Sequence, residues 1–348
     1  MRFFLRAIML LLFVGVLFPH LEVCGKELGA PNITAESAVL YSPVSGEFIY
    51  GKSADKKLPM ASTTKIMTAL IALEYCEEYG DKLVSVSWEA AATEGSSMGL
   101  EAGDKISVSD LCAGVLLASG NDGANALAEV ISDDFQELMN SRGREIGMQN
   151  TNFVTPSGLD AEDHYSTARD MAFLAAEAMK NEHFAAIVSS QYMEISYNKG
   201  EKTAAFSNHN KLLGYLDGCI GVKTGYTEKA GRCLVSAVKR DGVMLICVTL
   251  NAPDDWNDHE KLYDFGFPLM EEYTPLYADF VLPTTGHPVI CKIENGDEFP
   301  CFFENKVKEI VYLPRFIYAS SCKKGDTIGR VDYIINRKII HSKNIIID

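Results

Sequence analysis

The sequence predicts an α+β fold in two parts: a segment mixing helices and strands, then a small all-β domain. Three observations carry this. Apolar residues recur at helical spacing between about 62 and 179, and around 219 the period becomes that of strands. After Thr274 the chain breaks into short β-rich runs divided by turns. At 348 residues the chain is long enough for two domains. Its 47% hydrophobic content, with charges of both signs, is that of a globular protein.

The first 25 residues read as a signal peptide. Arg2 and Arg6 precede an apolar run from 7 to 18, closed by Pro19. The run is short for a membrane span and fits a secretory h-region with a basic flank, cleaved after Gly25. Lipidation at Cys24 is a weaker option, because Glu22 and Val23 suit a lipoprotein cleavage site poorly; an uncleaved anchor is a third. All three place the rest of the chain outside the cytoplasm.

Residues 26–273 form the predicted first domain. Alternating residues at 38–41 and 47–50, joined around Ser45-Gly46, predict an opening hairpin. Ile66, Leu70 and Leu73, with Ala69 and Ala72 between them, predict a helix over 62–79. Gly95-Ser96-Ser97-Met98-Gly99 is a loop, either beside a functional site or on the plain surface. A second helix over 108–118 carries Leu111, Val115 and Leu116. It breaks at Ser119-Gly120-Asn121-Asp122-Gly123, with a third helix from near Ala124 and Asp122 read as a helix cap. Residues 150–165 are polar and turn-rich, and an alanine-rich helix follows to about 179. Strands are predicted at 219–226, 232–239 and 243–250, the last two joined by Arg240-Asp241-Gly242, then a helix over 255–270. The second domain, 274–348, is split by turns at Thr284-Thr285-Gly286, Asn295-Gly296-Asp297 and Lys324-Gly325-Asp326. It ends in a strand through Ile345-Ile346-Ile347.

A formal charge of −15 argues against nucleic acid, whose binding relies on lysine and arginine neutralising phosphates. It also argues against simple adhesion to anionic lipid. None of the nine cysteines forms a C-x-x-C pair or meets histidine at metal-ligand spacing, so no metal and no cofactor is predicted. Cys112, Cys219, Cys233 and Cys247 read as buried small residues. Cys291 and Cys301 flank Asn295-Gly296 and could face each other across a hairpin, where export permits a disulfide without requiring one. The seven histidines are scattered, and none is assigned to chemistry.

Chemistry enters at Ala61-Ser62-Thr63-Thr64-Lys65-Ile66. Residues three apart on a helix share a face, so Lys65 can reach back to the Ser62 hydroxyl. A serine is a weak nucleophile until a base takes its proton. Lysine is such a base only when neutral, which at pH 7 requires a pKa about 3 units below its ordinary value. Burial and a second cation are the two ways to lower it. Alone, the pair is common, and a capping serine with an exposed lysine explains it equally well. Two further elements supply what the chemistry needs. Ser119-Gly120-Asn121 places a hydroxyl and an amide on a tight loop between helices. Lys223-Thr224-Gly225, in a predicted strand, brings the second cation, another hydroxyl and a glycine where a substrate backbone can approach.

These three elements, in this order, occur in penicillin-binding proteins and class A β-lactamases. The chain resembles the low-molecular-mass penicillin-binding proteins, the serine D-alanyl-D-alanine carboxypeptidases (peptidase S11). The likeness spans about 30–270. It includes Leu58-Pro59-Met60-Ala61-Ser62-Thr63-Thr64-Lys65, Leu116-Leu117-Ala118-Ser119-Gly120-Asn121-Asp122 and Gly221-Val222-Lys223-Thr224-Gly225-Tyr226-Thr227. Between the second and third lie Ser157-Gly158-Leu159-Asp160 and Ser166-Thr167-Ala168-Arg169-Asp170-Met171.

The resemblance implies a β-lactamase/transpeptidase-like catalytic domain, an antiparallel sheet flanked by helices plus a helical subdomain, with the β-domain behind it. It implies acyl transfer in cell-wall peptidoglycan. Ser62 attacks the carbonyl between the two terminal D-alanines of a stem peptide, and Lys65, held neutral with help from Lys223, takes its proton. Ser119 relays a proton to the leaving nitrogen, and Asn121 holds Lys65 and the substrate amide. Lys223 and Thr224 bind the terminal carboxylate, Gly225 admits the substrate, and the N–H groups of Ser62 and Tyr226 form the oxyanion hole. β-Lactams would acylate the same serine.

A class A β-lactamase would carry Glu-x-x-x-Asn between the second and third motifs; here Glu162 is followed at that distance by Ser166. The family's membrane-anchoring terminal helix has no counterpart, which leaves peripheral membrane association open. Two alternatives to a carboxypeptidase remain: a D,D-endopeptidase on cross-links, which uses the same residues, and a slow-turnover penicillin-binding sensor or wall-binding protein.

Overall fold

The computed structural model describes residues 29–276, 279–294, 298–302, 306–318, 323–335 and 337–348. The signal-like run with Cys24, and the Asn295-Gly296-Asp297 turn, lie outside the described residues.

The chain opens with strands β1 (Ser37–Ser42) and β2 (Glu47–Lys52). A 3₁₀ turn at Ala61–Thr64 runs into helix α1 (Lys65–Tyr79). Next come β3 (Leu83–Ser85), the short α2 (Trp88–Ala91), β4 (Lys105–Ser107), α3 (Val108–Leu117), α4 (Asn121–Ile131) and α5 (Phe135–Ile146). After an irregular stretch come α6 (Ala168–Ala178), α7 (Glu182–Ser189) and the hairpin β5 (Tyr192–Tyr197) and β6 (Lys202–Ser207). Strands β7 (Cys219–Thr227), β8 (Gly231–Arg240) and β9 (Val243–Leu250) lead to α8 (Asp255–Gly266). The remainder is β10 (Glu271–Tyr273), β11 (Asp279–Leu282), β12 (Val289–Ile293), β13 (Phe299–Cys301), β14 (Lys308–Tyr312), β15 (Thr327–Ile335) and β16 (Lys338–Ile347).

The central sheet is antiparallel throughout, in the order β2-β1-β9-β8-β7. Its inner strands are apolar at successive positions because both faces are covered. Along β9, Leu245 and Cys247 join a cluster with Leu262 and Tyr263 of α8, while Ile246 and Val248 point to the opposite side. There they meet a larger cluster that holds Ile66, Met171 and Ala172. The period of two along each strand thus feeds two cores. The β8–β9 turn has Asp241 at φ +48° and Gly242 at +80°, the paired positive angles that match a hairpin's twist.

Helix α1 runs through the larger cluster, and every residue from Lys65 to Leu73 is buried. Such a helix is apolar on all sides rather than striped. The C-terminal part is the expected β-rich region, an antiparallel sheet in the order β11-β12-β16-β15-β14 beside the pair β10-β13.

The structure departs from several sequence expectations. The first turn of the 62–79 helix is 3₁₀, and the 255–270 helix ends at Gly266 before a 3₁₀ turn. Helix α4 begins at Asn121, three residues early, and Asp122 lies inside it rather than at its cap. Helices α5 and α7 and the β5–β6 hairpin were not anticipated. Cys291 and Cys301 do not face each other across a hairpin: Cys291 sits opposite Phe280 and Ile347, and Cys301 opposite Glu271, in separate sheets. Cys219 is half-buried, whereas Cys112, Cys233 and Cys247 are buried as expected.

Candidate active site

The sheet edge and α1 meet at the nucleophile segment. Ala61, just before Ser62, has φ +47°, and Ser119 has φ +60°. Both are conformations that L-residues with a Cβ adopt at a cost and that cluster at functional sites. Strand β7 presses against this turn: a Cβ on Gly225 would fall 3.0 Å from the Ser62 nitrogen. A side chain there would press on the main chain of Met60, Ser62 and Thr63 and push the strand off the turn, which glycine avoids.

Lys65 is fully buried, and its Nζ has three partners. These are Ser62 Oγ at 3.0 Å, Asn121 Oδ1 at 2.7 Å and the Ser157 carbonyl. Two of them, an amide oxygen and a main-chain carbonyl, can only accept. A neutral amine has two hydrogens and one lone pair. With both hydrogens claimed, the lone pair is left facing the Ser62 hydroxyl, which then donates to it. The electrostatics favour that state: burial pushes Lys65 well below its ordinary pKa and Lys223 pushes it further, while Asp122 opposes.

Lys223 is also buried, with Nζ donating to the Thr224 carbonyl at 3.0 Å, and burial brings its pKa down to about 7. Ser62, Ser96, Ser119, Thr224, Gly225 and Tyr226 line a cleft of about 500 Å³. Tyr226 is 65% exposed at its mouth. All eight residues singled out from the sequence therefore converge on one place: Ser62, Ser119, Thr224, Gly225 and Tyr226 on the cleft wall, with Lys65, Asn121 and Lys223 buried behind it.

Sequence reasoning missed other parts of the site. Asp122 holds the 95–100 loop: Met98 N–H donates to it at 2.9 Å, Leu100 N–H at 3.1 Å and the Ser97 hydroxyl at 2.6 Å. Asn121 adds two bonds, its N–H to the Ser96 carbonyl and its Nδ2 to the Glu94 carbonyl, both 2.7 Å. The loop thus lies beside the site, the first of its two readings. The Ser157 carbonyl carries no signature, because every residue has one. On the far wall, Arg232 sits opposite Tyr226 in the β7–β8 register and bonds Asp255 at 2.7 Å. Its guanidinium lies 5.5 Å from the Trp256 ring. His209 lines the same wall, its pKa lowered by burial and by Lys223.

An antiparallel sheet with a serine–lysine pair at the head of a buried helix, and a Lys-Thr-Gly strand at its edge, is the fold of the penicillin-binding D,D-peptidases and transpeptidases. Within that class the chain belongs to the D-alanyl-D-alanine carboxypeptidase family, whose sequence profile matches residues 25–254. It is 33% identical to the D-alanyl-D-alanine carboxypeptidase DacF of Bacillus subtilis, covering 93% of this chain and 87% of that protein. The crystal structure of the D-alanyl-D-alanine carboxypeptidase DacD from Francisella tularensis matches 91% of this chain and 93% of its own, with TM-score 0.66 and 27% identity. The Streptomyces K15 DD-transpeptidase covers 69% of this chain with 99% of its own, at TM-score 0.66 and 32% identity.

Proposed function

We propose that this chain is a serine D-Ala-D-Ala carboxypeptidase that removes the terminal D-alanine from peptidoglycan stem peptides through an ester on Ser62. The observation that carries the reading is the setting of Lys65. Its Nζ lies 3.0 Å from Ser62 Oγ and is held on its other sides by Asn121 Oδ1 and the Ser157 carbonyl, so the neutral amine, giving its two hydrogens to those acceptors, turns its lone pair to Ser62. Ser62 Oγ attacks the penultimate D-alanine carbonyl and its proton passes to Lys65 Nζ. The N–H groups of Ser62 and Tyr226 receive the developing oxyanion. The C–N bond then breaks, a proton reaching the leaving nitrogen by way of Ser119, and water hydrolyses the ester. A β-lactam carbonyl would acylate the same oxygen.

Residues 26–273 form the catalytic domain in this reading and 274–348 the β-domain, which has clusters of its own around Tyr333 and Ile345. Export by the N-terminal run places the enzyme at the wall, where its substrate lies. No helix among the described residues is long and apolar enough to cross a membrane.

The test is to incubate the purified protein with diacetyl-Lys-D-Ala-D-Ala and measure free D-alanine, and to map a labelled penicillin to its residue by mass spectrometry. Release, with label on Ser62, supports the reading. Label on Ser62 without release would favour an endopeptidase or a sensor, and neither signal from folded protein would sink the mechanism.

The lysine pair also sets a pH dependence. Lys223 must be charged to bind a carboxylate, and in the free protein its pKa is about 7. A bound carboxylate favours the charged form and raises that value. The alkaline fall in kcat/KM, which reports the free enzyme, is expected to begin near pH 7, while kcat holds to higher pH. Steady-state profiles on the tripeptide check this; coincident alkaline limbs would exclude Lys223 as the carboxylate ligand.

A further inference from the structure

We propose that His164 is a positioning residue for acyl transfer: its ring ties the 154–158 segment to Thr64 and so fixes where the Ser157 carbonyl meets Lys65. The inference rests on the reading of Ser62 and Lys65 as nucleophile and base.

The segment from 153 to 164 has no ladder to hold it. It is closed at its neck by a single antiparallel bridge, Asn152 to Tyr165, with N···O distances of 2.9 and 3.1 Å. Asp163, at φ +60°, turns the chain just before His164, whose ring enters the loop and is 5% exposed. Both ring nitrogens are used. The Val154 N–H donates to Nδ1 at 2.9 Å, so the ring proton belongs on Nε2, which lies 2.9 Å from Thr64 Oγ1. A main-chain N–H cannot be an acceptor, so the geometry specifies the neutral ring. Burial supports this by holding the His164 pKa to about 4, with Asp160 opposing and Lys229 adding.

The ring thus joins two segments that both touch Lys65. Thr64 precedes it in the chain, and Ser157 accepts one of its hydrogens. Gly158 shows how tightly they are packed: at φ +80°, a Cβ there would fall 2.0 Å from the Ala61 carbonyl oxygen. Elsewhere the segment is pinned by the Thr68 hydroxyl, which donates to the Pro156 carbonyl at 2.6 Å, and by Asn140, which accepts from the Phe153 N–H and donates to its carbonyl, both at 2.8 Å. Without His164, the stretch between the anchors at Phe153 and Pro156 loses the side chain that holds the Val154 N–H. Ser157 can then move off Lys65, water can reach the amine, and the lone pair is no longer forced toward Ser62.

The experiment measures acylation of the full-length chain by a fluorescent penicillin across pH, with melting temperatures, for wild type, His164→Ala, His164→Gln and Thr64→Val. Water at Lys65 relieves its desolvation, so the acidic limb of the His164→Ala profile is expected about one unit higher than in wild type. The rate at pH 7 should fall about 100-fold, the scale of an ångström-sized misplacement. Lys223 on β7 and Asp122 on α4, the charges that bear on Lys65, are unchanged in every variant. Glutamine can accept from Val154 and donate to Thr64, so His164→Gln should restore limb and rate to within about 5-fold. Thr64→Val, which keeps the shape and loses the hydroxyl, should move the limb in the same direction and provides the test should His164→Ala not fold. A limb that stays in place while the melting temperature drops would overturn the inference, as would a glutamine variant no better than alanine. Failure of the wild type itself to acylate would instead overturn the acyl-transfer reading, and the inference with it.

Discussion

Replacing Lys65 with arginine is expected to lower kcat/KM on the tripeptide by about 1,000- to 10,000-fold, at the upper end of what one general base contributes. The substitution keeps the hydrogen-bond donors and removes the one property the mechanism needs. A guanidinium stays protonated at any pH the protein survives and has no lone pair to offer. Ser62 would keep its proton, and penicillin labelling should fall in parallel with D-alanine release. Combining the change with Ser62→Ala should cost little more than either alone, because the two residues act as one unit. Assays of the two single variants and the double variant, with circular dichroism to confirm folding, decide the point. An arginine variant that retained a tenth of wild-type activity would remove Lys65 from the role of base.

The Ser62–Lys65 contact is legible in the sequence because it is local. Ser62 and Lys65 lie three apart across the 3₁₀ turn that leads into α1, which puts the oxygen and nitrogen within reach, and they meet at 3.0 Å. The strands at 219–250 were legible for a similar reason, since an apolar run bounded by Gly231 and Asp241-Gly242 fits few other structures. Two other groups of interactions were not legible. Backbone partners such as the Ser157 carbonyl carry no residue type, and His164 was one of seven scattered histidines until the loop closed around it. The β5–β6 hairpin did leave a signal: Asn198-Lys199-Gly200 is a turn, and Met193, Ile195 and Tyr197 alternate before it. The Cys291–Cys301 hairpin failed because strand order in the C-terminal sheet is set by β16, which arrives fifty residues later to pair with β12.

Asp122 shows the same limit most clearly, and its removal is expected to have the second largest effect. By position it reads as a cap, and its one cap-like bond, from the Gly123 N–H at 2.9 Å, is real. Its other partners, Met98, Leu100 and Ser97, lie 22 to 25 residues upstream. They make it the anchor of the strap that carries Ser96 to the cleft. The Met98 side chain completes the anchorage. Gly114, Gly120 and Gly123 leave room for it, and a Cβ on any of them would fall 2.0, 2.4 or 2.5 Å from its atoms.

Asp122→Ala leaves the Met98 and Leu100 N–H groups buried without an acceptor, each at about 1–3 kcal/mol, for a total loss near 4 kcal/mol. Urea unfolding should show it as a lower midpoint. Asp122→Asn tests the charge separately. The carboxylate favours protonated Lys65, opposing burial and Lys223, so removing its charge lets Lys65 lose its proton at lower pH. Activity on the acidic side requires Lys65 to be neutral. The acidic limb of kcat/KM is therefore expected to move to lower pH in the asparagine variant, opposite to the shift expected for His164→Ala. An upward shift in both would mean that water entry, rather than charge, governs the base, and Asp122 would then matter only as a strap.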